Sequence, residues 1–237
     1  MKTIVVIPTY NERDNARNII EAVLRSLDGA DVLIVDDNSP DGTAGIVREM
    51  MAANPRIHLL VRAGKLGLGT AYCEGFALAL SMGYEAVMEM DADFSHDPAD
   101  LPRFIKELET ADVVIGSRYS NGVNVVNWPL NRLILSYSAN LYTRLITGMP
   151  VKDATGGFKA FRASALKLID LTKIQSNGYA FQIEMNYRLW RAGARVREIP
   201  IVFVDRRSGV SKMSRNIVYE AARLVWKLKF LDVVGRL

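Results

Sequence analysis

Cysteine is nearly absent from this chain: Cys73 stands alone in 237 residues, which excludes an internal disulfide framework and fits a reducing compartment. Histidine is almost as scarce, with only His58 and His96, so a mechanism built on a strong imidazole base has little to draw on. No window of ~18 uncharged apolar residues occurs, and no stretch is expected to span a bilayer. Met1-Lys2-Thr3 runs at once into a strand-like segment with no cleavage site behind it, so no signal peptide is expected. The dinucleotide fingerprint is missing, and so is the phosphate loop of nucleotide triphosphatases. Basic stripes interleaved with exposed aromatics are missing too, which removes nucleic acid as an expected partner. There is no low-complexity linker and no internal repeat beyond βα units.

What is present is apolar and polarised in charge. At 49% apolar composition, 237 residues suffice for one large α/β domain with a sizeable core. Residues 1–110 carry 10 basic and 18 acidic side chains, whereas residues 111–237 carry 20 basic and 8 acidic ones. An acidic front half and a basic back half suit a metal-and-nucleotide half facing a half that receives something anionic.

The front half repeats one plan. Thr3-Ile4-Val5-Val6-Ile7-Pro8 is a β-branched run closed by proline, and Thr9-Tyr10-Asn11-Glu12 follows as a polar loop before a helix over residues 14–27. Val32-Leu33-Ile34-Val35 ends in Asp36-Asp37, turns through Asn38 to Gly42, and opens a helix at Thr43. Residues 57–61 form a third strand, and a Gly-x-Gly loop over 62–70 leads into a helix over 71–82. Those glycines either hold a phosphate or let the helix approach the sheet closely. Strands that deliver polar residues to loops before helices predict a parallel, right-handed βαβ sheet with ligands at that edge.

The most informative stretch is Val87-Met88-Glu89-Met90-Asp91-Ala92-Asp93-Phe94-Ser95-His96-Asp97-Pro98. It reads as a buried strand running into two carboxylates, then into a helix over 98–109 with Asp97 as N-cap and Pro98 at its first position. In an extended segment Asp91 and Asp93 share a side and can hold one hard cation, Mg2+ or Mn2+, together with phosphate oxygens. A bare Asp-x-Asp that merely caps a helix is the competing reading. Val113 to Ser117 is a further strand ending in Arg118, a cation placed either to pair with the two carboxylates or to bind a phosphate.

The back half is less regular. Residues 127–149 hold one or two helices whose leucines and isoleucines either pack into the core or meet lipid, with Arg132 placed for an anionic headgroup. Asp153 to Arg162 alternates small and aromatic residues as a strand does, residues 179–191 are helical, and residues 196–204 form an edge strand containing Pro200. Asp205 to Lys212 is a basic loop with a central glycine, either folding over a diphosphate or forming a solvated turn. Residues 215–237 form a basic amphipathic helix with Trp226 and Phe230, either an interfacial anchor or a helix docked on the sheet.

As a set and in this order, Pro8 to Glu12, Val35 to Thr43, Lys65 to Tyr72, Met90 to His96, Gly116 to Tyr119 and Asp205 to Lys212 resemble the dolichyl-phosphate mannose synthases. These are family 2 glycosyltransferases. The resemblance runs from Ile4 to about residue 214. It implies the α/β GT-A-type fold: a Rossmann-like, mostly parallel central sheet flanked by helices, with additional interfacial helices. The catalytic domain is then residues 1–214; residues 215–237, beyond the resemblance, are a basic amphipathic helix and a candidate membrane anchor. By the resemblance, Pro8, Tyr10, Glu12, Val35 and Asp37 hold the nucleoside; Asp91, Ala92 and Asp93 contact metal and sugar diphosphate; Arg118, Arg206 and Lys212 hold phosphates. Arg118, Arg132 and Ser136 take the acceptor phosphate. The implied reaction moves mannose, with inversion, from GDP-mannose to a polyprenyl or dolichyl monophosphate, with Mg2+ or Mn2+ as cofactor. The enzyme is expected in the cytoplasm, peripheral on the cytoplasmic face of a membrane, where a membrane-protein partner is a further expectation. Two alternatives stand: a polyprenyl-phosphate glucose synthase using UDP-glucose, and a catalytically silent nucleotide-sugar-binding protein.

Overall fold

The computed structural model describes residues 1–205 and 215–237. Its elements follow in the order β1 (Thr3–Thr9), α1 (Arg13–Ser26), β2 (Asp31–Asp36), α2 (Thr43–Ala53), β3 (Ile57–Val61), α3 (Leu68–Ser81), β4 (Ala86–Glu89) and α4 (Leu101–Glu107). The second half continues with β5 (Val113–Ser117), β6 (Val125–Val126), α5 (Leu130–Thr147), β7 (Lys159–Arg162), α6 (Ala163–Leu166), α7 (Gly178–Arg191), β8 (Val196–Pro200), β9 (Phe203–Val204) and α8 (Arg215–Val233).

One seven-stranded sheet runs β3-β2-β1-β4-β7-β5-β8. All its pairings are parallel except those of β7, which lies antiparallel between β4 and β5. Along β1 the side chains alternate: Ile4 and Val6 enter one core layer with α3, α7 and α8, while Val5 and Ile7 enter the other with α1, α2 and α4. Helices thus cover both faces, which is why the strands read as unbroken apolar runs. α3 lies so close that a Cβ on Gly75 would stand 2.6 Å from Val6 Cγ1.

Three expectations needed adjustment. The helix expected over 98–109 divides into a 3-10 turn, Pro98–Asp100, and α4. Asp97 does cap it, accepting from Ala99 N at 2.9 Å, but Pro102 donates no backbone hydrogen bond and its ring crowds the carbonyl four residues back, so one continuous α-helix does not form. The strand expected from residue 153 pairs only from Lys159, because side chains engage the backbone before it: Asp153 N donates to Glu198 and Thr155 N to Asn140. The last strand ends at Pro200, at the sheet edge as expected, and a separate pair, β6 with β9, follows.

The topology locates the site. From β1 the chain winds outward through β2 and β3, then returns to place β4 on the other side of β1. The crevice at the carboxyl ends of β1 and β4 is the switch point where sheets of this kind receive ligands.

Candidate active site

At that crevice β4 stops at Glu89, and the two carboxylates lie in the bend beyond it rather than in extended strand. The cause is local. Asp93 Oδ1 accepts from both Ser95 N (3.1 Å) and Ser95 Oγ (2.6 Å), a turn that competes with the ladder, and Phe94 takes a left-handed φ of 59°. Asp91 and Asp93 still line one cavity of about 350 Å3, together with Ser95, His96, Arg118, Arg132, Gln182 and Asp205. Below Asp91, the buried Tyr72 hydroxyl approaches Oδ1 at 3.4 Å and His96 Nδ1 faces the Asp91 amide at 3.4 Å. His96 stacks on Phe158, and burial pushes its pKa down to about 4, so it is a neutral acceptor near pH 7.

The cations divide their partners. Arg118 is buried and pairs not with Asp91 or Asp93 but with Asp153, through Nε (2.7 Å) and Nη2 (2.6 Å), with Thr155 at 2.8 Å. Burial opposes the charge on both groups, yet each outweighs it for the other: the Arg118 pKa is raised and that of Asp153 lowered. Arg132 reaches across 73 residues to Asp205 at 2.7 Å and lies 4.1 Å over the Trp128 ring, with its Nε buried and unpaired. Ser136, on α5, accepts from Tyr119 Oη at 2.8 Å. It lies in an adjoining apolar cavity of about 300 Å3, which shares Arg118 with the first and is walled by Trp128, Leu135, Tyr142 and Val225. Arg206 and Lys212 lie outside the described residues.

A second group gathers where β1 and β2 end. Pro8 faces Val35 in register, and Asp37 N donates to the Thr9 carbonyl at 3.0 Å. Glu12 carries its carboxylate on Asn15 at 2.8 Å, and its amide donates to Thr43 Oγ. Tyr10 is exposed, with Lys65 4.1 Å from its ring. Val35 and Ala92 are buried in the core, so any part they take in holding a ligand falls to main-chain atoms. Asp37 is gripped by Arg62 at 2.7 Å; burial nevertheless lifts its pKa, against the pull of Arg62.

Two functional groups escaped the sequence reading. Arg62 also donates to Gly67 O and Thr70 Oγ, tying the Gly-x-Gly loop to Asp37. It follows β3 as Asp37 follows β2, and that parallel position was the available signal. Glu89 and Lys159 form a fully buried pair (3.0 Å) beneath the carboxylates, with the Lys159 ammonium also donating to Gln182 of the cavity wall. Burial presses each toward its neutral form and the partner opposes it. Its signs in the sequence are a lysine inside an apolar alternating strand and a glutamate inside the buried run that precedes Asp91.

The site therefore presents carboxylates and a basic, aromatic-lined wall across one small cavity, with an apolar chamber behind. Among the described residues no cluster of three or more metal-ligating side chains occurs. Two hard carboxylate oxygens sets fit Mg2+ or Mn2+ completed by ligand phosphates and water, and fit poorly a metal that needs a full protein cage.

Comparison with known proteins places the chain in a family. The chain is 45% identical over 221 residues to undecaprenyl-phosphate mannosyltransferase of Micrococcus luteus, covering 93% of this chain and 91% of that protein. It is 44% identical over 238 residues to polyprenol monophosphomannose synthase of Mycolicibacterium smegmatis, covering 100% and 89%. Its fold matches glucosyl-3-phosphoglycerate synthase of Mycobacterium tuberculosis, solved with Mn2+ and UDP-glucose, at a TM-score of 0.65, 18% identity and 99% and 79% coverage. It also matches the mannosyltransferase PcManGT of Pyrobaculum calidifontis, solved with GDP-Man and Mn2+, at a TM-score of 0.59, 18% identity and 99% and 74% coverage. These neighbours are GT-A glycosyltransferases, and the fold is theirs. Residues 4–169 match the model of glycosyl transferase family 2, and with that match the chain belongs to this family.

Proposed function

We propose that the protein transfers mannose from GDP-mannose to a polyprenyl monophosphate, inverting an α-linked donor to a β-mannosyl phosphate lipid and releasing GDP. One observation carries this reading: Arg118 is shared between a polar cavity that holds Asp91 and Asp93 and an apolar cavity walled by α5 and α8. A phosphate that ends an isoprenoid chain needs both environments at once. The names of the two relatives, which identify a lipid-phosphate acceptor and mannose, support the same assignment.

In this reading Glu12 and Asp37 supply acceptors for base and ribose, with Pro8, Tyr10 and the Val35 main chain around them. Asp91 and Asp93, with the Ala92 main chain between them, hold Mg2+ or Mn2+, which when bound neutralises the departing diphosphate. Arg206 and Lys212 hold donor phosphates. Arg118, Arg132 and Ser136 hold the acceptor phosphate. Asp153 keeps Arg118 fixed, so its guanidinium is oriented before the anion arrives. A phosphate monoester has its second pKa near ~6 and is largely ionised at neutral pH, so the attacking oxygen needs no strong base. Neutral His96 is consistent with that. The chain's work is to position the two substrates in line, exclude water and stabilise the leaving charge.

No helix among the described residues is long and apolar enough to cross a membrane. We place the protein at the cytoplasmic face of a bilayer, peripherally, through the exposed apolar residues of α5 and α8, with or without a membrane-protein partner. The decisive assay gives the purified chain GDP-mannose and UDP-glucose in turn, with a short polyprenyl phosphate. Turnover with GDP-mannose is expected; turnover only with the uridine donor would establish the glucose reading, and turnover with neither the silent binding protein.

A further inference from the structure

α5 carries an outward ridge that the core does not use. Leu130, Ile134, Tyr137, Leu141 and Leu145 recur at steps of three and four and are all exposed, Leu145 to 73%. Beside the ridge a cavity of about 390 Å3 opens between α5 and the turn that follows β5. Tyr137 and Leu141 form its lip, Arg144 and Lys152 are its charged walls, and no carboxylate lines it. Lys152 Nζ donates to the Ser120 carbonyl at 2.8 Å, which fixes the ammonium at the turn. Among the described residues Arg144 takes part in no ion pair. The Ser120 hydroxyl is buried without a hydrogen-bond partner. Two cations and an unpaired hydroxyl at the edge of an apolar ridge are complementary to an anionic head on an apolar tail.

We propose that this cavity is a headgroup site for an anionic phospholipid of the bilayer, separate from the transfer site. Arg118 lines the catalytic cavity, whereas its neighbour Tyr119 lines this one, and the two cavities share no lining residue. The Arg144 guanidinium offers paired donors to phosphodiester oxygens, Lys152 adds a point charge, and Ser120 Oγ donates the third contact. The acyl chains lie along Tyr137, Leu141 and Leu145. The proposal rests on the bilayer-surface placement given above, but its readout is independent: transfer to a short acceptor in detergent tests the reaction, and vesicle partitioning tests this site.

The full chain is floated with vesicles of phosphatidylcholine alone or mixed with phosphatidylglycerol. Phosphatidylglycerol is expected to raise the bound fraction, and Arg144→Gln to cut that gain by about fivefold. Ser120→Ala, which changes no charge, is expected to cut it by at least about threefold. Lys229→Gln, on α8 outside the cavity, measures the diffuse attraction. Transfer in detergent stays unchanged in all three variants. If Ser120→Ala leaves the gain intact while Arg144→Gln and Lys229→Gln lower it equally, the attraction is diffuse and the site does not exist. If inorganic phosphate raises the melting temperature through Arg144 and Ser120 while lipid composition makes no difference, the ligand is soluble phosphate and the headgroup assignment fails. If Arg144→Gln instead halves the mass seen by light scattering, the ridge joins two copies of the chain, and the proposal is again overturned.

Discussion

Asp91 sits among groups whose contacts are not equally legible in the sequence. The carboxylates themselves were legible, since an apolar run that stops at Asp-x-Asp delivers charge to a sheet edge. The pairings around them were not: the Tyr72 hydroxyl reaches Asp91 from α3 and Arg118 finds Asp153 35 residues away, contacts that only the tertiary structure creates. This difference has a measurable consequence. Asp93→Ala is expected to abolish metal-dependent transfer, and unchanged transfer would remove the metal assignment. Tyr72→Phe keeps the ring on Phe181 and deletes one hydroxyl, so it should raise the metal concentration for half-maximal activity by about 10–100-fold and leave turnover at saturating metal nearly intact. Equal effects on both would mean that Tyr72 only packs. Asp153→Asn should cost about 3–5 kcal/mol in denaturant unfolding, because it leaves the buried Arg118 charge without its counterion.

At the scale of elements, periodicity recovered most of the front half: β3 lies where expected, and α1 and α3 start within a few residues of their expected positions. It failed where backbone groups are taken by side chains or proline, as around Asp153 and Pro102. The Gly-x-Gly loop has two readings in the sequence, phosphate binding and close helix packing. The structure shows close packing, but against the segment that opens α7 rather than the sheet: Arg62 anchors Gly67 O, and a side chain on Gly69 would strike the Ser176 carbonyl. α8 was likewise either anchor or docked helix, and it has features of both. Val225 and Leu228 are buried in the core, and Asp232 accepts from Tyr187 and Arg191, while Trp226 and Phe230 face outward at 60% and 65% exposure. Deleting the helix would therefore confuse folding with anchoring. Replacing Trp226 and Phe230 together by alanine is the cleaner experiment: vesicle binding should drop at least about tenfold with little change in melting temperature. A large fall in melting temperature with binding preserved would make the outward face structural.

For the whole molecule, long-range ion pairs tie together segments that are distant in the chain. Arg195 closes on Asp112 across 83 residues, through Nε at 2.8 Å and Nη2 at 2.9 Å, and holds the Asp112 pKa at about 2 against an ordinary 3.8. Arg118 lowers Asp153 in the same direction, and burial lowers His96 to about 4 from 6.5. In each case the unfolded chain binds the proton first as pH falls, so the folded state loses stability on acidification. Asp37 and Glu89, whose pKa values burial raises, act in the opposite sense by taking up protons in the folded state. The windows separate these contributions. His96 acts between 6.5 and about 4, whereas the Asp112 contribution is complete above 3.8 and disappears as pH falls to about 2. Arg195→Gln should therefore lower the melting temperature by a fixed small amount at every pH above about 5, small because the pair is largely exposed. That gap should close as pH approaches 2. A gap that persists undiminished in acid would show that Arg195 stabilises the molecule by packing between β5 and β8, and not through the charge of Asp112.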